Sequence, residues 1–217
     1  MLDIVSLPRI GDSAPDFVAV TTHSPELSFS AWQEQDWVVL FSHPADFTPV
    51  CTTELIEFAR EHDRFAAKGI KLMGLSVDSI HSHLAWLQNL KEKMGMVIPY
   101  PLIADVDMQV SRQYGMIHSG ASSTATVRAL FVIDPHRVIR ALVYYPMNVG
   151  RNVNEVIRLV TALQTADKFS CATPVNWTDG EKVLVPPPRT VQEVEERLSY
   201  EDREIRDFYL TLKDLRS

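Results

Sequence analysis

The chain has 217 residues, of which 46% are apolar and 23% charged, a composition close to the globular average. At about 150 residues per domain, this length predicts one domain with an appended segment. The formal net charge of −7 disfavours nonspecific binding to nucleic acid or to an anionic membrane. Two cysteines are too few for a disulfide scaffold or a four-thiolate metal site, and neither GxGxxG nor GxxxxGKS/T occurs.

The N-terminal segment lacks the pattern of a secretory signal. Asp3, Arg9 and Asp12 interrupt its apolar residues, and no basic start precedes an apolar core. No stretch reaches the run of about 18 uncharged apolar residues that a membrane-spanning helix needs. We therefore expect a cytoplasmic protein with no membrane partner, whose cysteines are reduced at rest.

Hydrophobic periodicity predicts alternating strands and helices along most of the chain. In chain order these are a strand over 37–42, a helix over 49–68, a strand over 70–77, a helix to 94 capped by Asp78 or Ser79, a short strand near 102–103, a small helix over 108–114, a hairpin of 129–133 and 138–145, and a helix over 154–166. The first β-α-β crossover requires parallel strands, and the hairpin adds antiparallel ones. The pattern predicts an α/β protein with a mixed central sheet flanked by helices, consistent with a thioredoxin-like fold.

The pattern changes near residue 170. A short strand is predicted over 183–185, and the prolines at 186–188 form a stiff spacer. Thr190 and Glu193 form a capping box that opens a helix. We predict a domain over 1–170 and a C-terminal extension over 171–217, whose last segment packs on its own domain or on a partner subunit.

Cys51 falls in the first turn of the helix predicted from residue 49. Thr48 is a good N-cap and Pro49 suits the first helical position, which makes Cys51 the third residue. Free N–H groups and the positive end of the helix dipole favour a thiolate there. Leu55 and Phe58 place the sulfur on the core-facing side, whereas Glu54 falls on the polar face. The pattern indicates an activated nucleophile that needs a fixed cation; the alternative is an inert buried cysteine.

The segment FSHPADFTPVCTTEL, residues 41–55, closely resembles the signature of the peroxiredoxins, whose core PxxxTxxC is here Pro44, Thr48 and Cys51. Its flanks resemble the peroxiredoxin-6, or 1-Cys, branch of the alkyl hydroperoxide reductase / thiol-specific antioxidant family. Four further segments resemble that branch in the same order: TVRALFVIDP (126–135), YYPMNVGRNVNEVIR (144–158), ATPVNW (172–177) and VLVPPP (183–188).

The resemblance implies a thiol-dependent peroxidase that reduces hydrogen peroxide and organic hydroperoxides without a cofactor or metal. Cys51 would attack the peroxide as a thiolate and become a sulfenic acid. The resemblance assigns the other roles as follows: Thr48 and Arg128 bind the peroxide, Pro44 shields the sulfur from water, Arg151 is a second arginine near the site, and His43 and Glu54 support the loop and orient these groups.

Each of these residues also has a purely structural interpretation. Thr48 could only cap the helix, Pro44 could only stiffen a loop, and the two arginines could be surface charges, as arginines usually are. His81 and His83 are interpreted as ordinary helix residues, because a spacing of two points helical side chains apart.

Cys171 is a candidate resolving cysteine with mixed support. Its separation from Cys51, 171 − 51 = 120 residues, is the one that the resemblance associates with a built-in resolving cysteine. Its context, Ser170-Cys171-Ala172, is instead that of the 1-Cys branch. We therefore expect recycling by an external thiol, either a thioredoxin-like protein or a small thiol.

Two other functions and an assembly also have to be considered. A redox sensor or oxidised-state chaperone would use the same Cys51, whereas a thioredoxin-type disulfide reductase would normally need a CxxC motif, which is absent. The resemblance implies a homodimer or a ring of five dimers, with 171–217 as the dimerisation arm.

Overall fold

A five-stranded mixed sheet forms the centre of the first of two units into which the chain divides, 1–153 and 154–217. The computed structural model describes residues 7–200 and 203–215; Asp3 and the last two residues of the predicted tail lie outside this range. The strands of the first unit are β1 (Val18–Ala19), β2 (Leu27–Ser28), β3 (Trp37–Ser42), β4 (Ile70–Ser76), β5 (Leu102–Ala104), β6 (Arg128–Ile133) and β7 (Ile139–Tyr145). Its helices are α1 (Phe29–Gln33), α2 (Pro49–Arg60), α3 (His62–Ala66), α4 (Ile80–Met94) and α5 (Gln109–Gln113).

The sheet has the strand order β5-β4-β3-β6-β7. β3 pairs in parallel with β4, and β4 with β5, whereas β6 runs antiparallel to both β3 and β7. Leu40, at the centre of β3, has Met73 on one side and Phe131 on the other. All three are fully buried, as expected for continuous apolar strands that are covered on both faces. The predicted mixed sheet flanked by helices, a thioredoxin-like architecture, is confirmed.

The helix that carries Cys51 packs on this sheet through aromatic side chains. The ring of Phe58 in α2 stacks on that of Phe41 in β3, with centroids 4.3 Å apart. The hydroxyl of Tyr100 donates to the carbonyl of Leu55 at 3.0 Å. These contacts fix the helix start at the end of β3.

The predicted helix over 49–68 is wrong in one respect, because it is divided at Glu61. There ψ is 0°, about 40° from the helical value, so α2 ends and α3 begins after it. The helix predicted to 94 is confirmed as α4, with the Ser79 hydroxyl accepting from the Ser82 N–H and Gly95 closing it at φ 65°. Glycine suits this left-handed position because it lacks a Cβ.

The second unit contains a three-stranded antiparallel sheet in the order β8-β10-β9. Its elements are α6 (Val153–Phe169), which starts at the unit boundary, β8 (Val183–Leu184), α7 (Val191–Leu198), β9 (Glu204–Asp207) and β10 (Leu210–Lys213). The β9–β10 hairpin was not predicted, because its turn, Phe208-Tyr209, contains none of the usual turn residues. Trp177 packs with Ala162 and Val183 in a small apolar cluster.

The structure of this unit can be compared with two predictions, the capping box at Thr190 and the boundary at 170/171. The hydroxyl of Thr190 accepts from the N–H of Glu193 at 3.1 Å, as a capping box requires. The reciprocal bond differs from that of a capping box, because the Glu193 carboxylate accepts from the N–H of Arg189, the residue before the N-cap Thr190. The boundary predicted at 170/171 follows the end of α6, and the assignment of domains stays a prediction. None of the helices within 7–200 and 203–215 has the length and apolar character needed to cross a membrane.

Candidate active site

Cys51 lies where the sequence pattern places it, in the first turn of α2. Thr48 is at the N-cap and Pro49 is the first helical residue, so Cys51 is the third. Its side chain is fully buried, as are Leu55 and Phe58 on the same side of the helix. The sulfur is therefore held in a site shielded from bulk water, at the positive end of a 12-residue helix.

Thr48 does not cap the helix with its side chain, although it occupies the capping position. Its hydroxyl donates instead to the carbonyl of Ala45 at 2.8 Å, and it makes no hydrogen bond to the first helical turn. This bond closes the loop between β3 and α2, in which Phe47 has a positive φ of 55°. The hydroxyl proton is therefore used in a hydrogen bond within the loop, whereas the hydroxyl oxygen can still accept a hydrogen bond.

Arg128 supplies the cation beside the sulfur. It is the first residue of β6 and is 2% exposed, so the interpretation as a surface charge is wrong. Its Nη1 lies 3.3 Å from the Cys51 Sγ. Its Nε and Nη2 both donate to the carbonyl oxygen of Met147, at 3.0 and 2.6 Å. This carbonyl fixes the plane of the guanidinium, a role that sequence reasoning missed because a backbone carbonyl leaves no signal in the sequence.

Glu54 is buried between two arginines, so its assignment to the polar face of the helix is wrong. One carboxylate oxygen accepts from Nη1 of Arg128 at 2.7 Å and from Nη2 of Arg151 at 2.8 Å. The other accepts from the backbone N–H and the Nε of Arg151, both at 2.8 Å. Burial alone would raise the pKa of Glu54, but the charge and hydrogen bonds of Arg151 outweigh it and lower the pKa below its usual value.

Arg151 is likewise held inside the protein. It is 8% exposed, and its Nη1 donates to the carbonyl of Ala129 at 2.8 Å. Its guanidinium lies over the ring of Phe41, 5.1 Å from the centroid. Two guanidinium groups and one carboxylate sum to a formal charge of +1 next to the sulfur. A Cys51 thiolate would balance that charge.

The structure places His43 in a second buried cluster. Its Nε2 lies 2.9 Å from one carboxylate oxygen of Asp46, and the other oxygen lies 2.8 Å from Nδ1 of His83. The interpretation of His83 as an ordinary helix residue is wrong, since its side chain is fully buried, whereas His81 is exposed. His83 shares the buried face of α4 with Trp86 and Leu90, a spacing that could have revealed it.

Metal-type side chains come together in that same cluster. In the part of the chain that the structure describes, His43, Asp46 and His83 form such a group, with donor atoms within 4.8 Å of one another. The Asp46 carboxylate is hydrogen-bonded directly to both rings. In the observed geometry, hydrogen bonds therefore connect the three side chains. Pro44, which directly follows His43, is buried and contributes no N–H group.

Cys171 has the environment of a structural thiol. It is half-buried, two residues after the end of α6, and its Sγ lies 3.6 Å from the carbonyl of Thr165. Burial raises the pKa of the Cys171 thiol above its usual value, against the opposing charge of Lys213. A raised pKa keeps the sulfur protonated, which makes it a poor nucleophile at neutral pH.

We expect an Arg128→Lys variant to oxidise its Cys51 about 10²- to 10³-fold more slowly than the wild type. Lysine keeps the charge, but a single ammonium group cannot bond to Met147, Glu54 and the sulfur in one plane as the guanidinium does. Stopped-flow fluorescence with hydrogen peroxide measures this rate. Arg112→Lys, at an exposed arginine, is the matched control. An unchanged rate in Arg128→Lys would show that the planar guanidinium group is not needed for rapid oxidation of Cys51.

Comparison with known proteins agrees with this geometry. Residues 10–142 match the AhpC/TSA family, and residues 162–199 match the C-terminal domain of 1-Cys peroxiredoxin. The chain is 51% identical to a peroxiredoxin of Aquifex aeolicus, over 98% of this chain and 99% of that one.

Solved structures show the same relationship. A yeast mitochondrial 1-Cys peroxiredoxin is 38% identical, with a TM-score of 0.86 over 96% of this chain and 100% of that one. A variant of peroxiredoxin 6 from Arenicola marina is 33% identical, with a TM-score of 0.85 over 95% of this chain and 97% of that one. With the family match, these similarities show that the chain belongs to the peroxiredoxins, thiol-dependent peroxidases, and within them to the peroxiredoxin-6, or 1-Cys, branch.

Proposed function

We propose that this peroxiredoxin reduces hydrogen peroxide and organic hydroperoxides at Cys51 and is recycled by an external thiol. The observation that carries the proposal is the buried Cys51 sulfur, 3.3 Å from Nη1 of Arg128, at the edge of a cluster with a formal charge of +1. A sulfur in this setting is poised to react as a thiolate.

The reaction at Cys51 is a displacement at oxygen. The thiolate attacks the terminal oxygen of the peroxide, a sulfur–oxygen bond forms and the oxygen–oxygen bond breaks. Sulfur loses two electrons and becomes a sulfenic acid, and the leaving oxygen takes a proton to become water or an alcohol. Negative charge moves from the sulfur to the leaving oxygen, so the fixed guanidinium of Arg128 stabilises charge along the whole reaction path.

The remaining site residues hold these groups in place in this proposal. Thr48 and Arg128 bind the peroxide oxygens, and Pro44 shields the sulfur without offering it an N–H group. Glu54 and Arg151 fix the position of Arg128 through the hydrogen bonds described above. His43 supports the loop, since its backbone carbonyl accepts from the Thr126 hydroxyl at 2.7 Å.

Recycling by an external thiol is supported by the properties of Cys171. A half-buried, hydrogen-bonded thiol with a raised pKa is a weak partner for a sulfenic acid. The similar yeast protein is resolved via glutathione and thioredoxin systems. Here a first thiol condenses with the sulfenic acid, releasing water, and a second thiol reduces the resulting disulfide. The proposed compartment is the cytoplasm, which supplies such thiols.

The test combines turnover with disulfide mapping. We expect the wild type and a Cys171→Ser variant to consume peroxide equally fast with dithiothreitol, glutathione or thioredoxin as reductant. Non-reducing electrophoresis after one equivalent of peroxide is expected to show no crosslinked band. A dimer-sized band that disappears in Cys171→Ser would overturn external recycling. Oxidation of Cys51 without turnover would instead favour the redox sensor or oxidised-state chaperone.

Self-association through the C-terminal extension is a further part of the proposal. Large apolar side chains of the second unit are exposed in the single chain: Val191 at 77%, Leu198 at 57% and Tyr209 at 60%. Such residues are typical of a surface that a partner covers. We expect light scattering of the reduced protein to give the mass of a homodimer or of five dimers. The mass of a monomer would contradict the proposal that the C-terminal extension is a dimerisation arm.

A further inference from the structure

His83 has a hydrogen-bond acceptor at each ring nitrogen. Its Nε2 lies 3.1 Å from the carbonyl oxygen of Ile103, and its Nδ1 lies 2.8 Å from a carboxylate oxygen of Asp46. A backbone carbonyl only accepts hydrogen bonds, so Nε2 carries a proton. The side chain is fully buried, and water therefore does not supply another partner.

Asp46 accepts hydrogen bonds from both histidine rings. Burial would raise the pKa of this carboxyl, but the hydrogen bonds from His43 and His83 outweigh burial and hold the pKa well below its usual range. An ionised carboxylate also only accepts, so Nδ1 of His83 carries a proton as well. With protons on both nitrogens, the ring of His83 has a positive charge.

His43 has the opposite pattern. Its Nε2 faces the second carboxylate oxygen of Asp46 at 2.9 Å and donates to it. Its Nδ1 is buried and has no hydrogen-bond partner among the residues that the structure describes. A proton on that nitrogen would be a buried, unsatisfied donor beside a charged ring, which is costly. Burial also lowers the pKa of His43, against the raising effect of Asp46.

We infer that His83 is a buried imidazolium that positions Asp46 and thereby keeps His43 neutral, with an unprotonated Nδ1. The two opposite charges, His83 and Asp46, then cancel inside the protein, as buried charges must. Asp78 also faces the cluster, where its carboxylate accepts from the Asp46 N–H at 3.0 Å and from the Ser76 hydroxyl at 2.7 Å. Asp78 is half-buried, so water screens its charge.

The cluster lies next to the catalytic end of the sheet. His43 directly follows β3, and the adjacent hydroxyl of Ser42 donates to the carbonyl of Val127 at 2.6 Å and accepts from the N–H of Ala129 at 3.1 Å. These two bonds hold the segment on either side of Arg128. The proton acceptor on His43 is thus fixed at the same sheet edge as the arginine that touches Cys51.

Removing His83 changes the charge that Asp46 experiences. Without the imidazolium, His43 is the remaining ring that can neutralise the carboxylate, so it takes a second proton at neutral pH. Its Nδ1 then changes from an acceptor into a donor. His83 is accordingly a positioning residue, because it acts on the site through Asp46 and His43.

Nuclear magnetic resonance of the protein with nitrogen-15-labelled histidine tests the inference directly. We expect one of the seven rings to keep protons on both nitrogens at about pH 7, and one neutral ring to carry its proton on Nε2 only. The neutral signals that disappear in His43→Gln are those of His43. In His83→Gln the doubly protonated signals of the wild type disappear, and a new doubly protonated set, from His43, replaces the neutral one. A neutral His83, or a His43 with a protonated Nδ1, in the wild type would overturn the inference. This readout needs no turnover, so its failure is distinct from failure of the proposed peroxidase reaction.

The variants extend the test to the effect on the site. In His83→Gln we expect a doubly protonated His43 and oxidation of Cys51 about tenfold slower near neutral pH, with the rate recovering as pH rises and His43 loses its extra proton. His81→Gln, exposed on the same helix, is expected to match the wild type. A pH profile of unchanged shape in folded His83→Gln would contradict the inference. Should that variant not fold, Asp46→Asn is expected to leave His83 neutral; a persistent imidazolium there would contradict it equally.

Discussion

A Cys51→Ser variant is expected to lose peroxide reduction completely while keeping its fold. The serine oxygen is smaller than the sulfur, so it fits the same space, and it can accept the hydrogen bond that Nη1 of Arg128 gives to Sγ at 3.3 Å. It cannot replace the chemistry, because a hydroxyl is not ionised at neutral pH and an oxygen atom cannot be oxidised to the counterpart of a sulfenic acid. Peroxide consumption with dithiothreitol as reductant measures the loss.

The comparison variant for this prediction is Cys171→Ser, which removes the other thiol of the chain. We expect it to retain full turnover, because the Cys171 thiol that it removes is half-buried, has a raised pKa and takes no part in the proposed reaction. Residual turnover in Cys51→Ser that disappears only in the double variant would show that Cys171 is itself peroxidatic. Circular dichroism of each variant separates lost chemistry from lost structure.

A Glu54→Gln variant is expected to be destabilised by about 3 to 5 kcal/mol, the cost typical of removing one partner from a buried ion pair. The substitution preserves shape but removes the charge that compensates Arg128 and Arg151, both buried. It also turns one acceptor into an NH₂ donor that faces guanidinium donors. Urea unfolding followed by circular dichroism measures the free energy of unfolding.

Glu57→Gln, one turn further along α2, is the matched control. Glu57 forms a surface ion pair with Arg60 at 3.5 Å, in which both side chains are largely exposed. Pairs of this kind contribute about 1 kcal/mol or less. Equal losses of stability in the two variants would contradict the buried ion cluster that the structure shows around Glu54.

Comparison with Glu54→Gln also tests how the stability of the wild type depends on pH in acid. The pKa of Glu54 is lower in the folded than in the unfolded protein, so its stabilising contribution is present above the unfolded value and is lost as pH falls through the folded one. Between about pH 5 and pH 3, wild-type stability is therefore expected to fall more steeply than that of Glu54→Gln. Asp46, whose pKa is shifted in the same direction, leaves some slope in the variant. Parallel curves of stability against pH for the wild type and Glu54→Gln would contradict the lowered pKa of Glu54 in the folded protein.

Sequence reasoning placed individual elements well where the signal is local. The apolar runs of β3 and β4 and the capping of α4 by Ser79 and Gly95 are properties of neighbouring residues, and they appear as predicted. The break at Glu61 and the β9–β10 hairpin were missed, because the backbone angles there are not dictated by a proline or a glycine. Thr48 shows the same limit. Its hydroxyl could accept from an N–H group of the first helical turn or donate to a carbonyl of the preceding loop, and the sequence does not show which of these bonds forms.

Charged residues were the main source of error. Helical periodicity assigns Glu54 to the polar face, because a lone carboxylate is rarely buried. Its burial becomes favourable only when guanidinium groups arrive from residues 74 and 97 positions away. His83 was misjudged for the same reason, since its partner Asp46 lies 37 positions away on another element.

By itself, the sequence determined the class of sheet and the helix start that holds Cys51, because strand and helix periods and helix capping depend on neighbouring residues. It also predicted a cation beside that sulfur. The tertiary structure alone decided which cation that is. The strand order β5-β4-β3-β6-β7 brings the first residue of β6 next to the helix that follows β3, and so sets Arg128 beside a cysteine 77 residues earlier. The same packing excludes water, which makes the buried charges of Glu54, Arg151, Asp46 and His83 depend on one another, a property that no local pattern of residues encodes.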